Sequence, residues 1–169
     1  MKSQKNIFTL RLINALIFAV LIFIQYNSTY NIKISSANPM LPLAMLVAIC
    51  MFASELSGAI YGLLVGIFVD TVAHTPQGFN SLLFMLLGVC CVLIVKHLFN
   101  NNILSAAMLC FLCTLVYYLL RWLFAIAFYS SFTDNLTYII RTVFPSCIYT
   151  AIFIIPFYFI EKYLYKKFY

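Results

Sequence analysis

Long apolar stretches with few charges between them run through almost the whole chain, and they limit what it can fold into. Of its 169 residues, 65% are hydrophobic and 8% are charged. A soluble globular chain is about half apolar and about a quarter charged. This chain could not cover a water-facing surface with polar side chains. We therefore predict an all-α integral membrane protein with a single transmembrane domain over residues 1–169.

The apolar stretches divide into six candidate membrane spans. A spanning helix needs about 20 mostly apolar residues, and the second segment is short whereas the fifth is long. The boundary at Ser54 and Glu55 is weak, so five spans with one long bent helix remain an alternative. The six segments are Ile7–Ile24, Pro39–Ser54, Leu56–Ala73, Phe79–Val95, Ile103–Ser130 and Val143–Ile160.

A turn separates the third and fourth segments, which hydropathy alone would merge. Its sequence is Thr75-Pro76-Gln77-Gly78. Pro76 and Gly78 stand where proline and glycine are favoured in β-turns. The chain therefore reverses direction there.

Basic residues are distributed unequally between the two sides of the membrane. Six spans place both termini on one side, whereas Lys33 and Arg141 lie on the other. Loops rich in lysine and arginine stay in the cytoplasm, which predicts cytoplasmic termini. The residues on the predicted cytoplasmic side are Lys2, Lys5, Arg11, Lys96, Lys162, Lys166 and Lys167.

Three ionisable residues lie in or beside the spans: Glu55, Asp70 and Arg121. A charge near the centre of a membrane helix costs about 2.5–3.5 kcal/mol, so each is expected to have a partner, a cavity or the interface nearby. Asp70 and Arg121 fall at similar predicted depths, which predicts an intramembrane ion pair or a shared polar network. Alternatively, Asp70 caps the following turn and Arg121 extends towards the outer surface.

Small residues recur on the third segment. Gly58, Gly62, Gly66 and Asp70 follow one another at intervals of four, so they lie on one face of a helix. Such spacing lets helix backbones approach closely in lipid. The stripe is therefore either a helix-packing face within the chain or a face for a partner protein. Ala15 and Ala19 form a second, weaker pair of small residues on the first segment, with the same two interpretations.

Enzymatic and metal chemistry find little support in the sequence. The six cysteines fall inside spans, where they behave as small apolar residues, and no histidine accompanies Cys110-x-x-Cys113. No nucleophile–base pair and no phosphate-binding glycine loop is present. We predict a protein that is not an enzyme, has no cofactor and no metal, and does not bind nucleic acid. Its surroundings are the lipid bilayer and partner proteins.

The middle of the chain resembles the rod shape-determining protein MreD family of bacteria. The resemblance rests on Asn38-Pro39 opening a span, on Gly58-x3-Gly62-x3-Gly66-x3-Asp70, and on Gly78 followed by Leu82-Leu83. Chain length and the hydropathy of six helices agree. At the second junction, where that family often carries an aromatic residue and a proline, this chain reads FASELSG.

The resemblance implies a function and a location. It implies a non-enzymatic, multi-pass component of the bacterial cytoplasmic (inner) membrane that takes part in the elongation of cell-wall peptidoglycan and so in rod shape. The implied partners are membrane-anchored MreC, the RodA glycosyltransferase, a class B penicillin-binding protein and MreB. It also implies a fold similar to the S components of energy-coupling-factor transporters, so a vitamin-binding S component is the alternative function.

Overall fold

A computed structural model describes residues 2–26, 39–73, 78–97, 101–129 and 142–168 of the protein. Within them lie six helices, and five are long and apolar enough to cross a membrane. The predicted all-α, multi-pass membrane fold is therefore confirmed. The helices are α1 (Lys2–Tyr26), α2 (Leu41–Cys50), α3 (Glu55–Ala73), α4 (Phe79–His97), α5 (Ile103–Tyr129) and α6 (Phe144–Phe168).

The second helix, α2, forms the centre of the core. It has 10 residues, all of them buried, and it packs against each of the five other helices. A helix of this length is about 15 Å long, half the thickness of a hydrocarbon core of about 30 Å. Its sequence, LPLAMLVAIC, is apolar on every side, as a fully enclosed helix requires. The hydropathy of this segment predicts a membrane span, but α2 is too short to cross the membrane alone.

Hydrogen bonds at both ends of α2 fix its direction. At its start, the backbone nitrogen of Leu41 donates to Oε1 of Gln25 at 2.9 Å, near the end of α1. At its end, the Cys50 thiol donates to the carbonyl oxygen of Gly88 at the middle of α4, and Nδ2 of Asn101, just beyond the end of α4, donates to the carbonyl oxygen of Met51 at 3.0 Å. Therefore α2 runs antiparallel to α1 and in the same direction as α4.

The bundle has two ends that differ in chemistry. At one end, Nζ of Lys96 in the last turn of α4 forms an ion pair with Oε1 of Glu55, the first residue of α3, at 2.9 Å. We call this the Glu55 end. At the other, the last residues of α3 meet the first residues of α4 around Asp70, and we call it the Asp70 end.

Large apolar side chains cover the outside of the five long helices. Examples are Leu16 on α1, Leu82 on α4 and Leu104 on α5, each more than half exposed. An exposed apolar surface of this extent is compatible with lipid rather than water as the solvent. In contrast, the polar side chains of Asn14, Asp70 and Glu161 are buried inside the bundle.

Candidate functional site

The glycines of α3 face α4 at very short range. A Cβ atom at Gly58 would lie 2.8 Å from Cγ2 of Val92 and 3.0 Å from the carbonyl oxygen of Gly88. At Gly62 it would collide with the backbone of Phe84, and at Gly66 with the backbone of Ser81. The face that the stripe presents is thus covered by α4 of the same chain, with no room for a side chain between the two backbones.

Sequence reasoning missed the matching glycine on α4. A Cβ atom at Gly88 would lie 2.5 Å from the carbonyl oxygen of Gly58, so the two glycines face each other where α3 and α4 are close. Gly88 stands alone in its segment, without a small residue four positions away on either side. No periodic pattern therefore marked it.

The stripe ends at Asp70, whose carboxylate caps the start of α4. Its Oδ1 accepts hydrogen bonds from the backbone nitrogen and the Nδ2 of Asn80, at 3.1 and 2.8 Å. Its Oδ2 accepts from the backbone nitrogens of Gly78 and Ser81, at 3.2 and 3.0 Å, and from the Ser81 hydroxyl at 2.6 Å. The first amide groups of a helix have no partner within it and carry partial positive charge. A carboxylate there both satisfies these donors and is stabilised by them.

The network around Asp70 continues to α5. The hydroxyl of Tyr117, which is fully buried, donates to Oδ1 of Asn80 at 2.9 Å. Arg121 follows Tyr117 by one turn on the same helix, so it lies near the level of this network. The ion pair between Asp70 and Arg121 stays a prediction. The geometry of Asp70 itself is that of a cap, as the alternative interpretation had it.

Gly78 carries out the turn into α4. Its φ of +94° lies in the left-handed region, and a Cβ atom there would meet nothing within 4 Å. Glycine is favoured here for its backbone conformation and not for space. Pro76, the other residue of the predicted turn, lies outside the described residues.

A polar cavity of about 790 Å³ opens at the Glu55 end, beneath the last turn of α2. Asn14 of α1 and Glu161 of α6 contribute to its wall and are 1% and 2% exposed. Nδ2 of Asn14 donates to Oε2 of Glu161 through a long hydrogen bond of 3.4 Å. Oδ1 of Asn14 and Oε1 of Glu161 are buried and have no hydrogen-bond partner among the described residues. The other polar residues of the wall are Arg11, Ser54, Glu55, Ser57, Tyr61, Lys96 and Tyr165.

Sequence reasoning also missed Glu161. The predicted last span ended at Ile160, one residue earlier, whereas α6 continues to Phe168. The inward positions Ile154 and Tyr158 are buried, and Glu161 continues their spacing of four and seven residues. Extending this periodicity past the apolar run would have found it.

The cysteines form no candidate centre in the described part of the chain. All six are free, and five of them are buried. Sγ of Cys91 lies 3.1 Å from Sγ of Cys113 across α4 and α5. Among the described residues, no three His, Cys, Asp or Glu side chains are placed to hold a metal ion.

Comparison with known protein families gives a match. A family model described as rod shape-determining protein MreD matches residues 6–168, nearly the whole chain. No curated protein and no solved structure matches the chain. The family resemblance seen in the middle of the sequence is therefore confirmed over nearly its full length, whereas the predicted likeness to transporter S components stays a prediction.

Proposed function

The chain belongs to the rod shape-determining protein MreD family, and we propose that it acts there as a non-enzymatic adaptor of the cell-elongation machinery. A multi-pass membrane protein of this family takes part in determining rod shape. The observation that carries the proposal is the family match over residues 6–168.

The partner that we propose first is membrane-anchored MreC. Nearly all described residues lie in the helical bundle, so we expect a partner to contact these residues within the membrane. The glycine face of α3 is covered by α4. Gly58, Gly62, Gly66 and Asp70 therefore support a partner surface by holding α3 and α4 in place, and the partner itself contacts their lipid-facing sides. RodA, a class B penicillin-binding protein and MreB would be linked through the same complex.

We also propose that the Glu55 end faces the cytoplasm. This end holds Lys96 and the last turn of α6 with Lys166 and Lys167. Such a concentration of lysines agrees with the positive-inside rule. Both termini would then be cytoplasmic, with the Asp70 end near the outer surface of the inner membrane.

The alternative function, a vitamin-binding S component, requires a cavity that opens outwards. The cavity of about 790 Å³ lies at the Glu55 end, opposite to the one where a vitamin would enter. At the Asp70 end, the polar groups of Asp70, Asn80 and Ser81 bind one another. The geometry therefore favours the adaptor.

Affinity purification of the tagged chain from its own host, in mild detergent, tests this proposal. We expect MreC among the proteins retained. A chain with Leu56 and Ile60 of the lipid-facing side of α3 changed to alanine should retain less MreC. The matched control has Leu104 and Met108 of α5 changed to alanine. Retention of an ATPase module together with a bound vitamin, without MreC, would instead establish the transporter.

A further inference from the structure

We propose that the cavity at the Glu55 end binds the headgroup of a phospholipid that carries a primary amine, of the phosphatidylethanolamine class. One acyl chain of this lipid lies in the adjoining groove between α1 and α3. The site requires only that the bundle is embedded in a bilayer, so it does not depend on the adaptor role.

Two buried acceptor atoms in the cavity wall are not bonded to a donor of the described residues. Within the described part of the chain, Oδ1 of Asn14 and Oε1 of Glu161 have no hydrogen-bond partner, although both side chains are more than nine-tenths buried. Buried polar groups are normally satisfied, and a buried carboxylate calls for a cation that also donates hydrogen bonds. A primary ammonium has three N–H donors and one positive charge. It can serve both oxygens at once.

A cation in the same wall is placed for the phosphate. Arg11 lies one turn before Asn14 on α1 and lines the cavity. Its guanidinium has the planar set of donors that suits a phosphate. The other cation of the wall, Lys96, is paired with Glu55. The cavity wall thus holds an anion, Glu161, and a cation, Arg11, one helical turn from the Asn14 that bonds Glu161. This combination complements a zwitterionic headgroup.

An apolar groove leaves the cavity along α1 and α3. It has a volume of about 240 Å³, and Arg11, Ser57 and Tyr61 line both it and the cavity. Ala15 and Ala19, the second pair of small residues in the sequence, form its α1 side. Their short side chains leave the space that an acyl chain would fill. The remaining lining residues are Phe18, Ile60, Leu64, Val65 and Phe68.

The choice between lipids follows from hydrogen-bond donors. Phosphatidylcholine has the same charges and acyl chains as phosphatidylethanolamine, but its quaternary ammonium has no N–H group. Hydrogen bonds to a charged group are strong enough to give about a tenfold difference in affinity. The full-length protein should therefore bind phosphatidylethanolamine about tenfold more tightly than phosphatidylcholine.

Native mass spectrometry of the detergent-solubilised protein, titrated with each lipid, measures this preference. Glu161→Gln removes the charge but leaves a neutral acceptor, and should reduce this preference. Glu55→Gln, which removes a carboxylate from the same cavity that already has a partner, should leave it intact. Ala19→Leu fills the groove and should weaken the binding of both lipids to the same extent. If Glu161→Gln does not fold, the affinities of the unaltered protein for the two lipids still test the proposal.

Two outcomes would overturn the proposal. The first is equal affinity of the unaltered protein for phosphatidylethanolamine and phosphatidylcholine. The second is binding of free phosphoethanolamine as tight as that of the lipid, which would make the ligand a soluble amine and the groove irrelevant.

Discussion

Ser81 donates two hydrogen bonds to the Asp70 carboxylate, from its backbone nitrogen at 3.0 Å and from its hydroxyl at 2.6 Å. The two residues belong to different helices, so this contact ties the end of α3 to the start of α4. The close approach of the two backbones at Gly62 and Gly66 ties them again further down. Among the described helices, α3 and α4 form the most extensively packed pair.

Asp70→Asn should destabilise the protein by about 1–3 kcal/mol, since an amide nitrogen cannot accept the hydrogen bonds that one carboxylate oxygen now takes. Ser81→Ala should lower the free energy of unfolding by less, about 1 kcal/mol, because the backbone nitrogen of residue 81 still donates to Asp70. Unfolding by denaturant titration in detergent micelles gives both values. Equal stability of Asp70→Asn and the unaltered protein would show that the cap contributes nothing.

A double-mutant cycle tests the predicted ion pair between Asp70 and Arg121. Asp70→Asn and Arg121→Gln, made singly and together, should show a coupling free energy above about 0.5 kcal/mol if the two side chains interact. Asp70→Asn keeps the shape of the side chain and so disturbs the cap less than charge reversal would. Additive losses of stability would leave Asp70 as a cap alone.

Gly62→Ala should cost about 1–3 kcal/mol, as overpacking does. The new methyl group would meet the backbone of Phe84, which cannot rotate away. Ile67→Ala on the same helix is the control. Its side chain is 44% exposed, and its loss should change the free energy of unfolding by less than about 0.5 kcal/mol. If both variants unfold alike, the close contact of α3 with α4 is not what stabilises the hairpin.

Gly78→Ala should be destabilising by about 1–2 kcal/mol, because an L-residue with a side chain is strained at a φ of +94°. Gly78→Asn should lose less stability than Gly78→Ala, since asparagine tolerates the left-handed region better than alanine does. Space is not at issue, because a Cβ atom there would meet nothing within 4 Å. The order glycine, asparagine, alanine in thermal stability is the expected result, and a reversed order of the two variants would contradict it.

Much of the fold follows from the sequence, because lipid imposes simple rules. Apolar length and turn residues located the helices, and the spacing of Gly58, Gly62 and Gly66 marked a face where backbones approach. Their partner on α4 could not be derived, since spacing tells which residues share a face but not what covers it. For Asp70, depth suggested Arg121, an ion pair that stays a prediction, and it gave no sign of the donors at the start of the next helix, only eight to eleven residues away.

Hydropathy does not distinguish a helix buried in protein from a helix buried in lipid. Every side chain of α2 is apolar, as in a membrane span, yet α2 is enclosed by other helices. Glu161 escaped notice for the opposite reason. It lies beyond the apolar run, where hydropathy indicates an aqueous loop, but the helix continues and turns it inwards. In both cases the surroundings of the residues depend on how the helices pack, which composition does not give.

Depletion of the protein in its native host, followed by microscopy of cell width and length, tests the central claim most directly. We predict that the cells lose their elongated form and become round, and that re-expression of the unaltered chain restores them. Cells that keep their shape and width while the protein falls below detection would contradict a role in determining rod shape.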